Sequence, residues 1–426
     1  MMRIALDKIL RRRTNRETVF LLTGGTGFLG SHLAVDLLRK SYRVILLVRP
    51  KGLTARQRVD QMLDGFGMAA QHCQHLEVIE GSLEGPRFDL NENDFLRLSR
   101  GVDEIIHCAS DTSFTERRRT EVERVNIGGM RNVLDFAVNG RCYFFHYLST
   151  AYAAGKKTGT CQEELEENEV FTNVYEETKY RAERMASDRC SREGIRLSIY
   201  RPSVVCGNSK TGRATQFIGF YYPLRTVLFL KDLYSRDIRE RGGQKAREMG
   251  VKYVEDGSLH LPIRVEVTNH GGVNLIPVDY FTNAFMALME ECFDGGIFHI
   301  VNPKPKRIED LLEYTKRLFK IDGIEPCQAE DFDRKSKTLL ERVFDSYLRV
   351  YDPYIRDKRM FDNRKAQSIL ARKGVVCPDF DSELFSRCAN YAVACDWGKK
   401  AFDAKIARED DDPIYCPRLD NRNTDK

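Results

Sequence analysis

Between residues 18 and 48 the chain alternates two kinds of hydrophobic pattern. "TVFLL" is a continuous apolar run that stops at the glycine cluster "TGGTG". "FLGSHLAVDLL" then sets Leu29, Leu33 and Leu37 at helical spacing, and "RVILLV" is a second continuous run. Unbroken apolar strands are buried on both faces, and the amphipathic helices between them supply the cover. The pattern therefore predicts a parallel sheet with helices on each side.

The order repeats, with strands expected over 76–82, 102–110, 143–152 and 196–202 and helices over 122–139 and 175–190. This is the α/β class, a doubly wound parallel sheet occupying 18–212. Beyond it, 213–272 reads as an irregular, aromatic-rich insertion, and 273–303 returns to strand–helix–strand. Residues 304–405 read as a smaller, mainly helical C-terminal domain. A basic segment (1–17) and a polar tail (406–426) flank the whole.

Charge adds exclusions. The 68 basic and 63 acidic residues leave a formal charge of +5, with the signs interspersed, which argues against a dedicated nucleic-acid surface. "ERRRTEVER" (116–124) alternates with glutamates as a solvated helix face does. The most apolar stretch, "FIGFYYPLRTVLFL" (217–230), is interrupted by Pro223 and Arg225, so no membrane span is expected. "MMRIALDKIL" is too short in apolar residues for a signal peptide, and the expected location is the cytoplasm. The 12 cysteines show neither C-x-x-C pairs nor metal-ligand spacing, so they are expected as small buried hydrophobes and no metal site is expected.

The chemistry begins at Gly24-x-x-Gly27-x-x-Gly30, directly after a strand and at a helix start. The first glycine permits a tight turn, the second a close approach of backbone to a pyrophosphate, and the third close packing of helix on strand. The second strand ends "LVRPK", with Arg49 and Lys51 where an NAD site carries a carboxylate, and no acid lies nearby along the chain. A guanidinium grips a 2′-phosphate, so the cofactor expected is NADP(H). Further on, "NVYEETKY" holds Tyr175 and Lys179. Four residues advance a helix by about 400°, which leaves the two on one face about 40° apart. An ammonium there lowers a phenol's pKa. Ser149 and Thr150 end the strand before it, where α/β sheets bind ligands.

The glycine loop, Thr150 and Tyr175-x-x-x-Lys179, in that order, resemble an extended short-chain dehydrogenase/reductase, a Rossmann fold. More narrowly, "LLTGGTGFLGSHL", "VNIGGMRNVLDFA", "FHYLSTAYAAG", "IYRPSVVCGNSKTG" and "NLIPVDYFTNA" resemble the thioester-reductase and fatty acyl-CoA reductase branch, the "male sterility" domain. The resemblance implies Thr150, Tyr175 and Lys179 as catalytic residues. It implies a cofactor site of Gly24, Thr26, Gly27, Phe28, Leu29, Gly30, Arg49, Lys51, Ser82, Leu83, Cys108, Ala109, Ser110, Asn126, Lys179, Pro202 and Val204. Arg201 matches the family's cofactor-lining "RP", and Asp279 an architectural aspartate. Two positions depart from the family pattern: Gly81-Ser82 replaces Gly-Asp, and His107-Cys108-Ala109-Ser110 replaces the usual N/H-x-A-A/G.

The activity implied is NADPH-dependent reduction of an acyl thioester, on coenzyme A or an acyl carrier protein, to aldehyde or alcohol. The alternatives are an oxidoreductase or epimerase acting on another hydrophobic carbonyl or a nucleotide sugar, and a non-catalytic NADP-binding protein. The apolar side chains Phe217, Phe220, Tyr221, Tyr222, Leu224, Val227, Leu228 and Leu230 are read either as a substrate wall or as core, with peripheral membrane contact a third option.

Overall fold

The computed structural model describes residues 17–167, 169–267, 272–328, 336–349 and 351–399. The expected basic segment, Glu17 apart, and the polar tail lie outside the described residues.

Along the chain run β1 (Val19–Thr23), α1 (Phe28–Arg39), β2 (Arg43–Val48), α2 (Ala55–Gly65), β3 (Leu76–Glu80), α3 (Glu92–Gly101) and β4 (Glu104–His107). A π-helical turn (Arg124–Gly128) leads into α4 (Gly129–Asn139), followed by β5 (Phe144–Leu148), β6 (Gly159–Cys161), α5 (Val174–Glu193) and β7 (Arg196–Pro202). Then come β8 (Val204–Cys206), α6 (Tyr221–Glu240), β9 (Lys252–Tyr253), β10 (Leu259–Val267), β11 (Leu275–Pro277), α7 (Val278–Glu291) and β12 (Gly296–Ile300). The last are α8 (Ile308–Phe319), β13 (Ile321–Gln328), α9 (Leu339–Leu348), β14 (Arg359–Phe361), α10 (Arg364–Arg372) and α11 (Ser382–Ala394).

Seven strands form one parallel sheet in the order β12-β7-β5-β4-β1-β2-β3. The chain winds outward from β1 in both directions, so the crevice between β1 and β4 is the switch point at which such sheets bind ligands. All five residues of β1 are buried, as its unbroken apolar run requires, whereas the edge strand β3 alternates and is only half-covered. Leu21, Ile45, Ile105 and Phe145 meet Met130, Val133 and Phe136 of α4 and Ala182 and Ala186 of α5 in one core. Each large side chain so buried contributes about 1.5–3 kcal/mol.

The chain clusters into two compact units. One holds the residues up to Ser203 with Tyr280–Pro303 and Arg359–Cys377, and the other Val204–Asp279, Lys304–Lys358 and the residues from Pro378 on. The boundaries therefore differ from those expected, because 359–377 return to the unit of the large sheet. There β14 pairs in parallel with β6, Arg359 opposite Gly159 and Phe361 opposite Cys161. The Glu163 carboxylate fixes the return by accepting the amides of Lys365 at 2.6 Å and Ala366 at 3.2 Å, at the start of α10.

In the other unit, residues 221–267 carry regular elements where irregularity was expected. Pro223 stands in the first turn of the 20-residue α6, where a missing N–H does no harm. In β10, "LHLPIRVEV" turns Leu259, Leu261, Ile263, Val265 and Val267 inward, a period-two signal that the sequence reading overlooked. β10 pairs with β9 and β13, so 304–405 is not simply helical either. The apolar stripe belongs to the core: Phe220, Leu224, Val227 and Leu230 are buried, and the Phe220 ring lies 5.6 Å from Phe380 and 6.1 Å from Phe385. Among the described residues no helix is long and apolar enough to cross a membrane.

Candidate active site

The loop after β1 is shaped around absent side chains. A Cβ on Gly24, which has φ of +73°, would lie 2.7 Å from the backbone nitrogen of Ala109. One on Gly30 would lie 2.2 Å from the Gly24 carbonyl oxygen. Gly27 is the N-cap of α1 and offers no side chain to its first turn, which leaves the amides of Phe28 and Leu29 to an anionic ligand. These residues fit a dinucleotide pyrophosphate.

At the end of β2 the structure adds two residues that the sequence reading missed. Arg58 of α2 donates to the Thr26 hydroxyl at 2.8 Å and to the Arg49 carbonyl at 2.6 Å. Burial lowers its pKa, and the charge of Arg49 lowers it further, so the two guanidiniums feel each other. Glu84, from the loop after β3, accepts from Arg49 Nη1 at 3.1 Å. The expectation that no acid lies nearby is thus corrected: sheet pairing of β2 with β3 brings one from 35 residues away. Lys51 sits exposed in the turn after β2. Ser82 Oγ accepts the Glu84 amide at 3.2 Å, and the Leu83 carbonyl accepts from Asn132 at 2.7 Å.

The end of β4 forms the opposite wall of the crevice. His107 Nδ1 pairs with the Thr23 hydroxyl at 2.8 Å, and its ring stacks on Tyr147 at 5.7 Å. Burial, with Lys179 adding to it, lowers its pKa to about 3 and keeps it neutral. The Cys108 thiol is pushed up to about 12, mainly by burial, so it is no thiolate nucleophile near neutrality. The Ala109 amide donates to Thr23 Oγ1 at 3.3 Å. Asn126, in the π turn, accepts from Ser110 Oγ at 3.0 Å and donates to Thr178 Oγ1 at 3.0 Å. It thereby ties the loop after β4 to α5, an architectural task.

Asn173 caps α5 by accepting the Glu176 amide at 3.0 Å, which sets Tyr175 in the first turn and Lys179 one turn on. Thr150 follows β5 and accepts the Tyr152 amide at 3.3 Å, and its hydroxyl lowers the pKa of the Tyr175 phenol. The neighbouring Ser149 hydroxyl is buried without a partner. Lys179, 2% exposed, donates to the Leu148 carbonyl at 2.6 Å and lies 4.4 Å from the centre of the Tyr147 ring.

The electrostatics differ from expectation. Burial raises the Tyr175 pKa, and the group that lowers it is Thr150 rather than Lys179. A buried ammonium takes the nearest strong acceptor, here the Leu148 carbonyl, and its charge is felt at His107 and Cys108 instead. Burial in turn lowers Lys179 itself to about 8. Phe114, from the loop after β4, lies 5.8 Å from Tyr175 ring to ring, a neighbour that nothing in the sequence announces.

The family described as "Male sterility protein" matches residues 22–285. The chain belongs to the male sterility protein family. Relatives it matches include proteins named as reductases, of which this chain spans less than a quarter. Glycine betaine reductase ATRR of Emericella nidulans is 28% identical over 72% of this chain and 22% of its own length. The L-2-aminoadipate reductase large subunit of Eremothecium gossypii is 27% identical over 47% of this chain and 16% of its own length. A component of the linear gramicidin synthase of Brevibacillus parabrevis is 24% identical over 87% of this chain, yet this chain spans only 7% of that protein. Among solved folds, the terminal R domain of the myxalamid PKS-NRPS pathway matches with a TM-score of 0.70 and 23% identity, covering 94% of this chain and 96% of that one. A thiolation-reductase di-domain from an archaeal non-ribosomal peptide synthetase matches at 0.67 and 18% identity, covering 93% and 81%.

In this male sterility family member the "RP" arginine is committed to an internal ion pair. Arg201 is buried and holds Glu183 through two bonds of 3.0 and 2.6 Å, with His299 alongside, while Pro202 closes β7. Val204 opens β8, and Asp279 accepts the Ser209 amide at 2.7 Å, an architectural contact. Arg359, missed because 204 residues separate it from its partner, donates to the Gly155 carbonyl at 2.8 Å. It also faces Glu176 at 3.5 Å and the Tyr152 ring at 4.8 Å, so it pins the loop after Thr150 to the first turn of α5.

Proposed function

We propose that this protein uses NADPH to reduce an acyl thioester, releasing an aldehyde and a free thiol. The observation that carries the reading is the buried Lys179, one helical turn from Tyr175 on α5 and bonded to Leu148 at the end of β5 beside Thr150, in the unit that holds the glycine cradle. Relatives named as reductases, and a similar fold described as a thiolation-reductase di-domain, favour a thioester as substrate.

NADPH held at the glycine loop would supply a hydride to the thioester carbonyl carbon. Thr150 donates its O–H to the carbonyl oxygen and, with the phenol, stabilises the charge that gathers there. Tyr175 passes its proton to that oxygen. The hemithioacetal so formed breaks its C–S bond, its hydroxyl proton goes to the sulfur, which leaves as a thiol, and the carbon regains C=O as an aldehyde. Lys179 spends one donor on Leu148 and has two further N–H groups for ribose hydroxyls.

The preference for NADPH rests on Arg49 and Arg58. A charge-assisted bond to phosphate is worth about 1.5–3 kcal/mol, so Arg49→Ala is expected to weaken NADPH about tenfold or more relative to NADH in calorimetric titration. Equal loss of both cofactors would refute it. The substrate is tested with one acyl group presented as a coenzyme A thioester, as a carrier-protein thioester and as the free aldehyde, with NADPH oxidation followed and products identified by mass. Reduction of the aldehyde but of neither thioester would overturn the thioester reading.

A further inference from the structure

Glu84 stands where a 2′-phosphate must approach. Its carboxylate accepts from Arg49 Nη1 at 3.1 Å through one oxygen, and the other lies 2.8 Å from Arg124 Nε in an ion pair. The loop that presents it is fixed. Ser82 Oγ takes the Glu84 amide, and Asn132 Nδ2 bonds the carbonyls on either side, Leu83 at 2.7 Å and Gly85 at 3.1 Å. Arg124 belongs to the π turn that carries Asn126, so it keeps the carboxylate in place whether or not Arg49 does.

We propose that Glu84 is the residue that sets the balance between NADPH and NADH, an inference that rests on Arg49 being the 2′-phosphate ligand. Two guanidiniums, Arg49 and Arg124, hold one carboxylate, and a third, Arg58, is bonded to the Arg49 carbonyl, so the group leaves two positive charges for a phosphomonoester that carries close to two negative ones. Arg58 is committed to Thr26 and to the Arg49 backbone, so it contributes field from a fixed place. The Arg49 side chain is 57% exposed, and Glu84 competes with the phosphate for it. Toward NADH the same carboxylate is a ready acceptor for the ribose 2′-hydroxyl, the role an acid at the end of the second strand fills in an NAD site. One side chain thus opposes one cofactor and assists the other.

The test is calorimetric titration of the purified protein with NADPH and with NADH, without acyl substrate, for wild type, Glu84→Gln, Arg49→Ala and the double variant. An exposed pair of this kind shifts an equilibrium by up to about fivefold. Glu84→Gln is expected to tighten NADPH several-fold and to weaken NADH, and the NADPH gain should vanish in the Arg49→Ala background. A Glu84→Gln protein with an unchanged or lower NADPH-to-NADH preference overturns the proposal, as does an NADPH gain that persists without Arg49. If Arg49→Ala alone weakens both cofactors equally, the 2′-phosphate assignment itself has failed, and the Glu84 proposal falls with it. Glu84→Lys, which reverses the charge, should exaggerate the NADPH preference and serves as the second variant.

Discussion

Replacing Tyr175 by Phe removes one oxygen atom, and the structure separates what that does to stability from what it does to rate. A neutral polar contact between the phenol and the Thr150 hydroxyl is worth about 1.5 kcal/mol at most. Thr150 is not orphaned, because its oxygen still accepts the Tyr152 amide, and the ring keeps its contact with Phe114. Folding should therefore weaken by no more than that. The rate should suffer far more, since a positioned proton donor contributes about 10²–10⁴-fold, or about 3–5 kcal/mol of transition-state stabilisation. Calorimetric NADPH affinity, urea unfolding and the initial rate of NADPH oxidation on one preparation read all three quantities. The expected result is a rate down at least a hundredfold with NADPH affinity within about twofold of wild type. Wild-type turnover, or a parallel loss of NADPH binding, refutes the assignment of Tyr175 as the acid. Because burial raises its pKa, the phenol stays protonated through the neutral range, so a falling limb in the pH profile must come from another group.

That group should be Lys179. With its pKa lowered from 10.5 to about 8, the folded chain sheds this proton before the unfolded chain does. NADPH affinity should fall as pH rises through about 8, while the contribution of Lys179 to stability rises between about 8 and 10.5, where only the unfolded chain still holds the proton. Lys179→Met should flatten both profiles, and a mutant that keeps the wild-type pH dependence of NADPH affinity counts against the lysine. Glu183→Gln leaves the Arg201 guanidinium, 4% exposed, without its charged partner and should cost about 3–5 kcal/mol in urea unfolding, whereas replacing both by apolar residues should restore most of it. A single variant as stable as wild type would show that the pair contributes nothing. Arg359→Met should lower turnover while sparing NADPH affinity, because it frees the Gly155 loop at a cost of about 2 kcal/mol, and loss of cofactor binding instead would place its effect elsewhere.

The parts of this molecule that could be read from the sequence are those whose physics is local. A buried parallel strand announces itself within five residues, as β1 does, and the glycine loop carries its turn, its anion site and its packing requirement within seven positions. The Tyr175–Lys179 spacing is likewise a property of one helical turn. What escaped depends on pairing between distant strands. Glu84 reaches Arg49 only because β3 lies beside β2, and Arg359 reaches Gly155 only because β14 pairs with β6. The apolar stripe of 217–230 stayed open between wall and core, since an amphipathic pattern states that a face is covered without saying by what, and Phe380 and Phe385 lie against its Phe220.

Charge placement is the hardest to read, because a spacing fixes where a side chain starts and not where its charged end goes. Tyr175 and Lys179 share a helix face as expected, yet the ammonium turns to the Leu148 carbonyl, and the group that lowers the phenol's pKa is Thr150. Burial forces the lysine's choice, for at 2% exposure an unpaired ammonium costs more than any benefit it could give to a neighbouring phenol. In the proposed reaction the lysine acts on the cofactor through its two further donors and the threonine on the acid, so two tasks that the spacing alone assigns to one lysine fall to two residues on different elements.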